Sequence, residues 1–135
     1  MAWQQGTEMV LGIGVDIIEI HRIKESHLRV GERFLEKIFT PAEIEYCFSR
    51  ATAYQHLAAR FAAKEAIAKC LTNVWKTPTS WTDIEITNSE SGAPTVKFLK
   101  ALSDFPWDQF DLKITISHSK ENAVCFAILS QKPPI

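Results

Sequence analysis

The most constraining stretch of this sequence is the run AYQHLAARFAAKEAIAKCL, from Ala53 to Leu71, which contains no glycine and no proline. Alanine has the highest helix propensity, so the run predicts one long helix. At about 100° per residue, Leu57, Phe61 and Ile67 fall on one side, and alanines cover most of the rest. Such a helix is expected to be packed against neighbours on nearly every side.

A second apolar segment, VLGIGVDIIEI from Val10 to Ile20, is rich in β-branched residues and predicts a strand. In strand geometry Gly12, Gly14 and Asp16 share one face. The glycines predict open space beside Asp16, with room for a hydrated cation and the phosphates of a ligand. A carboxylate in an apolar strand is costly unless it is paired or metal-bound. Two interpretations therefore stay open: an aspartate with an arginine partner or a capping role, and a ligand of a hard metal ion.

The rest of the chain predicts shorter helices and further strands. Residues 21–39 have helical spacing with a break at Gly31, and Thr40-Pro41-Ala42-Glu43 predicts a capped helix that runs to about Ser49. Strands are predicted over 83–87 and 95–99, as a hairpin, and over 112–117 and 123–129. This partial segregation of helices and strands indicates an α+β fold. The 135 residues are expected to form a single domain, 1–135, with 1–8 loosely held.

Charge and cysteine content exclude several classes of protein. The 15 Lys and Arg residues are balanced by 16 Asp and Glu residues, which argues against a nucleic-acid-binding protein. Cys47, Cys70 and Cys125 are an odd number without a CxxC pair, which predicts buried, reduced thiols and a cytoplasmic protein. The longest apolar run is too short to span a bilayer, so no membrane partner is expected. No GxGxxG or GxxxxGK(S/T) motif occurs, so dinucleotide-binding and P-loop functions are excluded.

Four charged residues interrupt the predicted long helix. Glu65 and Lys69 lie one turn apart, and taken alone they are typical of a surface ion pair. The apolar surroundings argue instead for burial, where a second carboxylate and a lysine would complete a magnesium and phosphate site. Arg60 and Lys64 form another pair one turn apart, and taken alone they are typical of a solvated helix face.

Two further features are compatible with binding of charged ligands. His118 lies in ISHS at the end of a predicted strand, where it is either a polar hairpin residue or a side chain that bonds a phosphate. Between His21 and Lys37 there are five basic and three acidic residues. This small excess is typical of a solvated helix face, and it also suits an acidic partner.

Three segments, in order, resemble the holo-(acyl-carrier-protein) synthase family, the short bacterial type of 4′-phosphopantetheinyl transferase. They are GIGVDIIEIHRI at 12–23, RFAAKEAIAKCL at 60–71 and ITISHSKENA at 114–123. FTPAEIEYC at 39–47 and DIEITNSESGAPTV at 83–96 fit the same pattern. The resemblance implies an α+β domain in which a mainly antiparallel sheet packs on the long alanine-rich helix, and it implies assembly as a homotrimer.

The resemblance also implies a function. The family transfers the phosphopantetheine arm of coenzyme A to a serine of an apo acyl carrier protein, releases adenosine 3′,5′-bisphosphate and needs magnesium. By the same resemblance, Asp16 and Glu65 would hold the magnesium and Lys69 would contact the transferred phosphate. The remaining implied site residues are Arg60, Lys64 and His118 around the coenzyme A phosphates, and Arg22, Lys24 and Arg29 facing the acidic helix of the carrier protein.

Two other function classes stay open. One is a module that binds a carrier protein or a nucleotide without chemistry, in which Asp16 and Glu65 are merely paired with lysines. The other is a metal-dependent nucleotide pyrophosphohydrolase, whose usual ExxE runs are absent from this sequence. Residues 1–8, and Trp75 and Trp81 in the loop 72–81, lie outside the family motifs and leave the adenine pocket and the oligomer contacts open.

Overall fold

The structure is a computed structural model that describes residues 9–133, so the expectation for residues 1–8 lies outside the described residues. In chain order the elements are strand β1 (Val10–Glu19), helices α1 (Ile20–Val30), α2 (Glu32–Ile38), α3 (Pro41–Phe48) and α4 (Ala53–Leu71), and strands β2 (Ile84–Asn88), β3 (Pro94–Phe98), β4 (Phe110–His118) and β5 (Asn122–Gln131). Short 3-10 turns occupy Trp81–Asp83, Lys100–Asp104 and Trp107–Gln109. These elements confirm the predicted α+β class.

Helix α4 is the centre of the fold. Strands β1, β5 and β4 form an antiparallel sheet in that order, and β2 and β3 form a separate hairpin. Helix α4 packs on β1 and β5, and the alanines on its sheet-facing side, including Ala62, Ala63 and Ala66, are fully buried. Small side chains allow this close packing, so the predicted arrangement of a sheet on an alanine-rich helix is confirmed.

Gly12 and Gly14 bring the backbone of β1 against the backbone of α4. A Cβ atom at Gly12 would lie 2.0 Å from the carbonyl oxygen of Cys70, and one at Gly14 would lie 2.0 Å from that of Ala66. The space beside these glycines is therefore filled by the helix. The expectation that it would hold a hydrated cation and phosphates was wrong, because the glycines serve to set the depth at which α4 lies on the sheet.

The short helices cover the N-terminal half of α4. Helix α1 ends at Gly31, whose φ of 93° lies in the region that favours glycine, and this confirms the predicted break. Helix α3 begins with the predicted capping box, in which Thr40 Oγ1 accepts from the Glu43 N–H and the Glu43 carboxylate accepts from the Thr40 N–H. A second apolar core lies between these helices and α4, and its largest members include Leu35, Phe39 and Leu57.

The cysteines are buried, as predicted. Burial raises the pKa of Cys47 and Cys70 to about 11 and that of Cys125 to about 12. Because the thiolate is the reactive form, none of the three is a nucleophile at neutral pH.

The face of β1 that points away from α4 is apolar and open. Ile13 is 61% exposed and Ile17 is 64% exposed, and Val15 and Phe126 lie beside them, also exposed. Within residues 9–133 no element covers this face. None of the helices described has the length and apolar character needed to cross a membrane.

Candidate active site

Asp16 of β1 and Lys69 of α4 meet where the strand crosses the helix. The Lys69 Nζ lies 3.5 Å from Oδ1 of Asp16 and donates a hydrogen bond of 2.8 Å to the carbonyl oxygen of Val15. Asp16 is partly buried and Lys69 is exposed, so the pair opens to solvent on the lysine side. The carboxylate has the cationic partner that its place in an apolar strand requires, although the partner is a lysine and not the arginine considered from sequence.

Glu65 lies one helical turn before Lys69 and is half-buried beside Trp81. The Trp81 indole Nε1–H donates a 2.9 Å hydrogen bond to Oε2 of Glu65. No donor within residues 9–133 contacts the other carboxylate oxygen, Oε1. A pocket of about 340 Å³ opens beside Glu65, with Lys37 and Ser80 on its walls. One oxygen of Glu65 is thus held by protein and the other is free for a ligand.

Lys64 is not at the surface, and this corrects both sequence interpretations of it. Its Nζ lies 2.8 Å from Oε1 of Glu43, and the two side chains are 1% and 0% exposed. The same ammonium donates to the carbonyl oxygens of Trp81, at 2.9 Å, and Ile84. Burial lowers the pKa of Lys64, and the Glu43 carboxylate opposes that shift. All three N–H donors are engaged, so Lys64 is neither solvated nor free to bind a coenzyme A phosphate.

Arg60 is also buried, so the interpretation of a solvated pair was wrong for it as well. Its side chain is 4% exposed, its Nη2 donates 2.7 Å to Oδ1 of Asn88, and its guanidinium lies 4.6 Å from the ring centre of Tyr46. The buried Nε of Arg60 has no hydrogen-bond partner among the residues described. A buried donor left without an acceptor is unusual and suits a site that receives an anion.

Further cationic side chains lie near Tyr46 and His56, beside Arg60. The Arg50 guanidinium also lies 4.6 Å from the Tyr46 ring centre, so two guanidinium groups, those of Arg50 and Arg60, pack against this ring. His56 has its pKa lowered by burial, then by Arg60, Arg50 and His118. The cluster therefore has an excess of positive charge.

His118 joins this cluster from the end of β4. The side-chain nitrogen of Gln55 lies 2.6 Å from Nδ1 of His118. Arg60 and His118 both lie near enough to His56 to lower its pKa, and this is what links the two predicted residues in the structure. Arg50, Gln55 and His56 were not predicted from the sequence, although His56 lies one helical turn before Arg60, which was the available signal.

The predicted partner-binding residues lie along α1. Arg22, Lys24 and Arg29 are all exposed, and α1 is anchored on the core through buried Ile23. Leu28 on the same helix is 70% exposed, so α1 presents an apolar residue as well as these cations.

Two carboxylates are the oxygen ligands available near Lys69. No group of three or more His, Cys, Asp or Glu side chains placed to hold a metal ion occurs in the described part of the chain. Magnesium commonly takes only one or two protein carboxylates and completes its shell with phosphate oxygens and waters. Asp16 and Glu65, the latter with its free Oε1, fit this requirement.

Comparison with known proteins identifies the superfamily to which this fold belongs. Residues 12–128 match the ACPS family model, described as the 4′-phosphopantetheinyl transferase superfamily. The holo-(acyl-carrier-protein) synthase of Thermodesulfovibrio yellowstonii is 41% identical over 122 residues, which are 90% of this chain and 100% of that protein. Within the superfamily, the chain belongs to the holo-(acyl-carrier-protein) synthase family, as the sequence motifs predicted.

Solved structures agree with this assignment. The holo-(acyl-carrier-protein) synthase from Neisseria meningitidis has a TM-score of 0.80 at 29% identity, over 92% of this chain and 100% of that chain. The Bacillus anthracis synthase, solved in complex with CoA (3′,5′-ADP), has a TM-score of 0.73 at 31% identity, over 93% of this chain and 100% of that chain.

Proposed function

We propose that this chain is a cytoplasmic holo-(acyl-carrier-protein) synthase of fatty acid biosynthesis, and that residues 9–133 form a single domain. It transfers the 4′-phosphopantetheine group of coenzyme A to a serine of apo acyl carrier protein and releases adenosine 3′,5′-bisphosphate. One observation carries this proposal: Asp16 of β1 lies beside Lys69 of α4, and Glu65 lies one helical turn before Lys69. This is the motif combination on which the family resemblance rests.

Asp16 and Glu65 are the proposed ligands of magnesium, which supplies charge neutralisation at the coenzyme A diphosphate when bound. Lys69 lies beside Asp16 with an exposed ammonium, so it can offset negative charge that develops on the transferred phosphoryl group. The carrier serine oxygen attacks the β-phosphorus, and the bond from that phosphorus to the leaving nucleotide phosphate breaks. The serine proton passes to a base, for which Glu65 is the candidate in this chain.

The cluster around Arg60 is the proposed site for the other phosphates of coenzyme A. Arg60 has a buried N–H without an acceptor, and the neighbouring cations are close enough to lower the pKa of His56. A phosphate bound beside this cluster would offset its positive charge. Arg60 and Glu65 are separated by about 7.5 Å along the axis of α4, which suits a ligand with two separated phosphate groups. Arg50 and His56, with Arg60 and His118, are the residues proposed to bind these phosphates. Lys64 is not among them, because its three N–H donors are engaged within the protein.

The exposed face of α1 is the proposed docking surface for the acidic helix of the carrier protein. Arg22, Lys24 and Arg29 supply charge, and complementary charge mainly raises the rate and specificity of association. Leu28, exposed on the same helix, supplies apolar contact area.

The open face of β1 is the proposed contact with further copies of this chain in a homotrimer. Three branched aliphatic side chains in a row are exposed there, and Phe126 extends the patch. Contiguous apolar patches of this kind are typical of protein interfaces. Lys69 borders a small pocket on this patch, so an adjoining copy would lie next to the proposed active site.

The alternatives make different predictions. The binding-module hypothesis requires Asp16 and Glu65 to be paired with lysines, yet Glu65 is bonded to Trp81. One assay separates all three functions: intact mass spectrometry of an apo carrier protein after incubation with coenzyme A and magnesium. A gain of the phosphopantetheine mass supports transfer, hydrolysed coenzyme A alone indicates a pyrophosphohydrolase, and no reaction of either kind indicates a binding module.

A further inference from the structure

We propose that Trp81 is a positioning residue for Glu65, whose carboxylate it orients so that Oε1 remains available to the metal ion. This inference rests on the proposed role of Glu65 as a magnesium ligand. It starts from the 2.9 Å hydrogen bond between the indole N–H and Oε2, which is the one side-chain contact that holds this carboxylate within the described residues.

Two consecutive residues of α4 hold Trp81 at different points. The Nζ of Lys64 donates to the Trp81 carbonyl oxygen at 2.9 Å, and the carboxylate of Glu65 accepts from the Trp81 side chain at 2.9 Å. Lys64 is itself fixed by its buried ion pair with Glu43. The backbone of Trp81 is therefore attached to the core, and the indole ring projects from a rigid point.

The ring is also restrained from its sides. Phe61 packs against it, with ring centres 6.1 Å apart and an interplanar angle of 31°, and the Lys37 Nζ lies 6.0 Å from the ring centre. The turn that carries Trp81 is closed by Asp83, whose Oδ2 accepts from the Ser80 N–H at 2.9 Å. These contacts limit rotation of the indole, so the direction of its N–H is set before any ligand binds.

A fixed donor has a specific effect on a metal-binding carboxylate. A hydrogen bond to Oε2 restricts rotation of the carboxylate and leaves Oε1 as the free oxygen. Hydrogen-bond partners of this kind orient metal ligands, and their loss typically costs 10- to 100-fold in metal affinity or activity. The Glu65 carboxylate lies at the end of a flexible side chain that is only half-buried, so without Trp81 it would sample several rotamers.

The test is Trp81→Phe, which keeps an aromatic ring and removes the N–H donor. Mn²⁺ binding in the presence of coenzyme A is measured by the loss of the free Mn²⁺ signal in electron paramagnetic resonance, with binding by coenzyme A alone subtracted. We expect the dissociation constant to rise about 10-fold. In the transfer assay, the magnesium concentration for half-maximal rate should rise by a similar factor.

The matched control is Trp75→Phe, since the Trp75 Nε1 is buried without a partner among the described residues and the partly buried ring packs against the core. It should leave Mn²⁺ affinity within about 2-fold, as expected for a tryptophan that orients no metal ligand. If Trp81→Phe does not fold, replacement of Trp81 by the isosteric β-(3-benzothienyl)alanine removes the N–H and preserves the shape of the ring. An unchanged Mn²⁺ affinity in either folded variant overturns the inference.

The unmodified protein distinguishes this failure from a failure of the proposed function. If it neither binds Mn²⁺ nor converts the apo carrier protein, the function proposed for Glu65 is wrong, and the inference falls with it. If it does both and Trp81→Phe matches it, only the role of Trp81 is wrong.

Discussion

Lys64 and Glu43 form an ion pair of 2.8 Å in which both side chains are almost completely buried. The pair joins α3 to α4. The other hydrogen bonds of both side chains are made to backbone N–H and carbonyl groups. Glu43 accepts from the N–H groups of Thr40 and Ile86, at 2.9 and 2.7 Å. It therefore connects three elements of the structure beneath the proposed active site, and Lys64 is a structural residue and not a ligand-binding one.

The first prediction follows from this burial. Lys64→Met leaves an unpaired carboxylate in the core, and breaking a buried pair in this way typically costs about 3–5 kcal/mol. We expect a loss of this size in the free energy of unfolding, measured by urea denaturation. Lys120→Met, at an exposed position, should change it by less than about 0.5 kcal/mol. Equal stability of the two variants would contradict the structural role of Lys64.

The second prediction concerns the proposed metal ligands. Asp16→Ala and Glu65→Gln each remove a carboxylate whose bound ion would supply several kcal/mol of charge stabilisation, so transfer should fall at least about 100-fold. Both side chains are partly solvent-accessible, so the variants should stay folded, as judged by circular dichroism. The exposed Glu90→Gln is the control, measured with the same carrier-protein assay at saturating magnesium. Near-normal turnover in either site variant would remove the metal assignment.

How far the sequence predicts this fold depends on whether the signal is local. Helix α4 has the predicted bounds of Ala53–Leu71, because alanine content and the absence of glycine and proline act within the segment itself. The capping box at Thr40 and the break at Gly31 were predictable for the same reason. Each depends on residues within one turn of the chain.

Features that depend on distant partners were not predictable. Arg60 and Lys64 looked solvated because their acceptors, Asn88 and Glu43, come from other elements. The prediction of open space beside Gly14 was wrong because the backbone of α4, which fills this space, is brought there by the tertiary fold. Residue types and spacing predict candidate site residues, whereas the burial of Arg60 and Lys64 follows from the tertiary fold.

The third prediction concerns pH. The pKa of His56 is lowered from 6.5 by burial, then by the nearby guanidinium groups of Arg60 and Arg50 and by His118. At pH values between that lowered pKa and 6.5, the unfolded chain binds more protons at His56 than the folded protein does. The free energy of unfolding therefore decreases as the pH falls through this window. In His56→Gln the free energy of unfolding, measured by urea denaturation, should fall less steeply over the same window.

The same histidine reports on ligand binding. A bound phosphate favours the imidazolium, so adenosine 3′,5′-bisphosphate should raise the pKa of His56. Histidine C–H resonances followed by NMR, with His56→Gln for assignment, measure this directly, and the exposed His21 on α1 is the internal control. A pKa of His56 that stays constant with saturating nucleotide would place the phosphates elsewhere.

The fourth prediction concerns the contact between strand and helix. In Gly14→Ala the new Cβ would lie 2.0 Å from the carbonyl oxygen of Ala66 and 2.9 Å from the Cβ of Lys69. Both neighbours belong to α4, so the helix must move away from β1. Overpacking of this kind costs about 1–3 kcal/mol or more, measurable by urea denaturation. The same displacement separates Lys69 from Asp16, so the rate of transfer per folded molecule should also fall.

Gly12→Ala is the matched variant for this test. Its Cβ would meet the carbonyl oxygen of Cys70 at the same 2.0 Å, but Gly12 lies roughly 7 Å farther along the strand from Asp16 than Gly14 does. Both variants should lose stability by similar amounts, and Gly14→Ala should lose more activity per folded molecule. Wild-type stability in Gly14→Ala would show that the strand and helix can separate freely. Equal activity losses in the two would mean that the Asp16–Lys69 geometry responds to the position of the whole helix and not to the contact at Gly14.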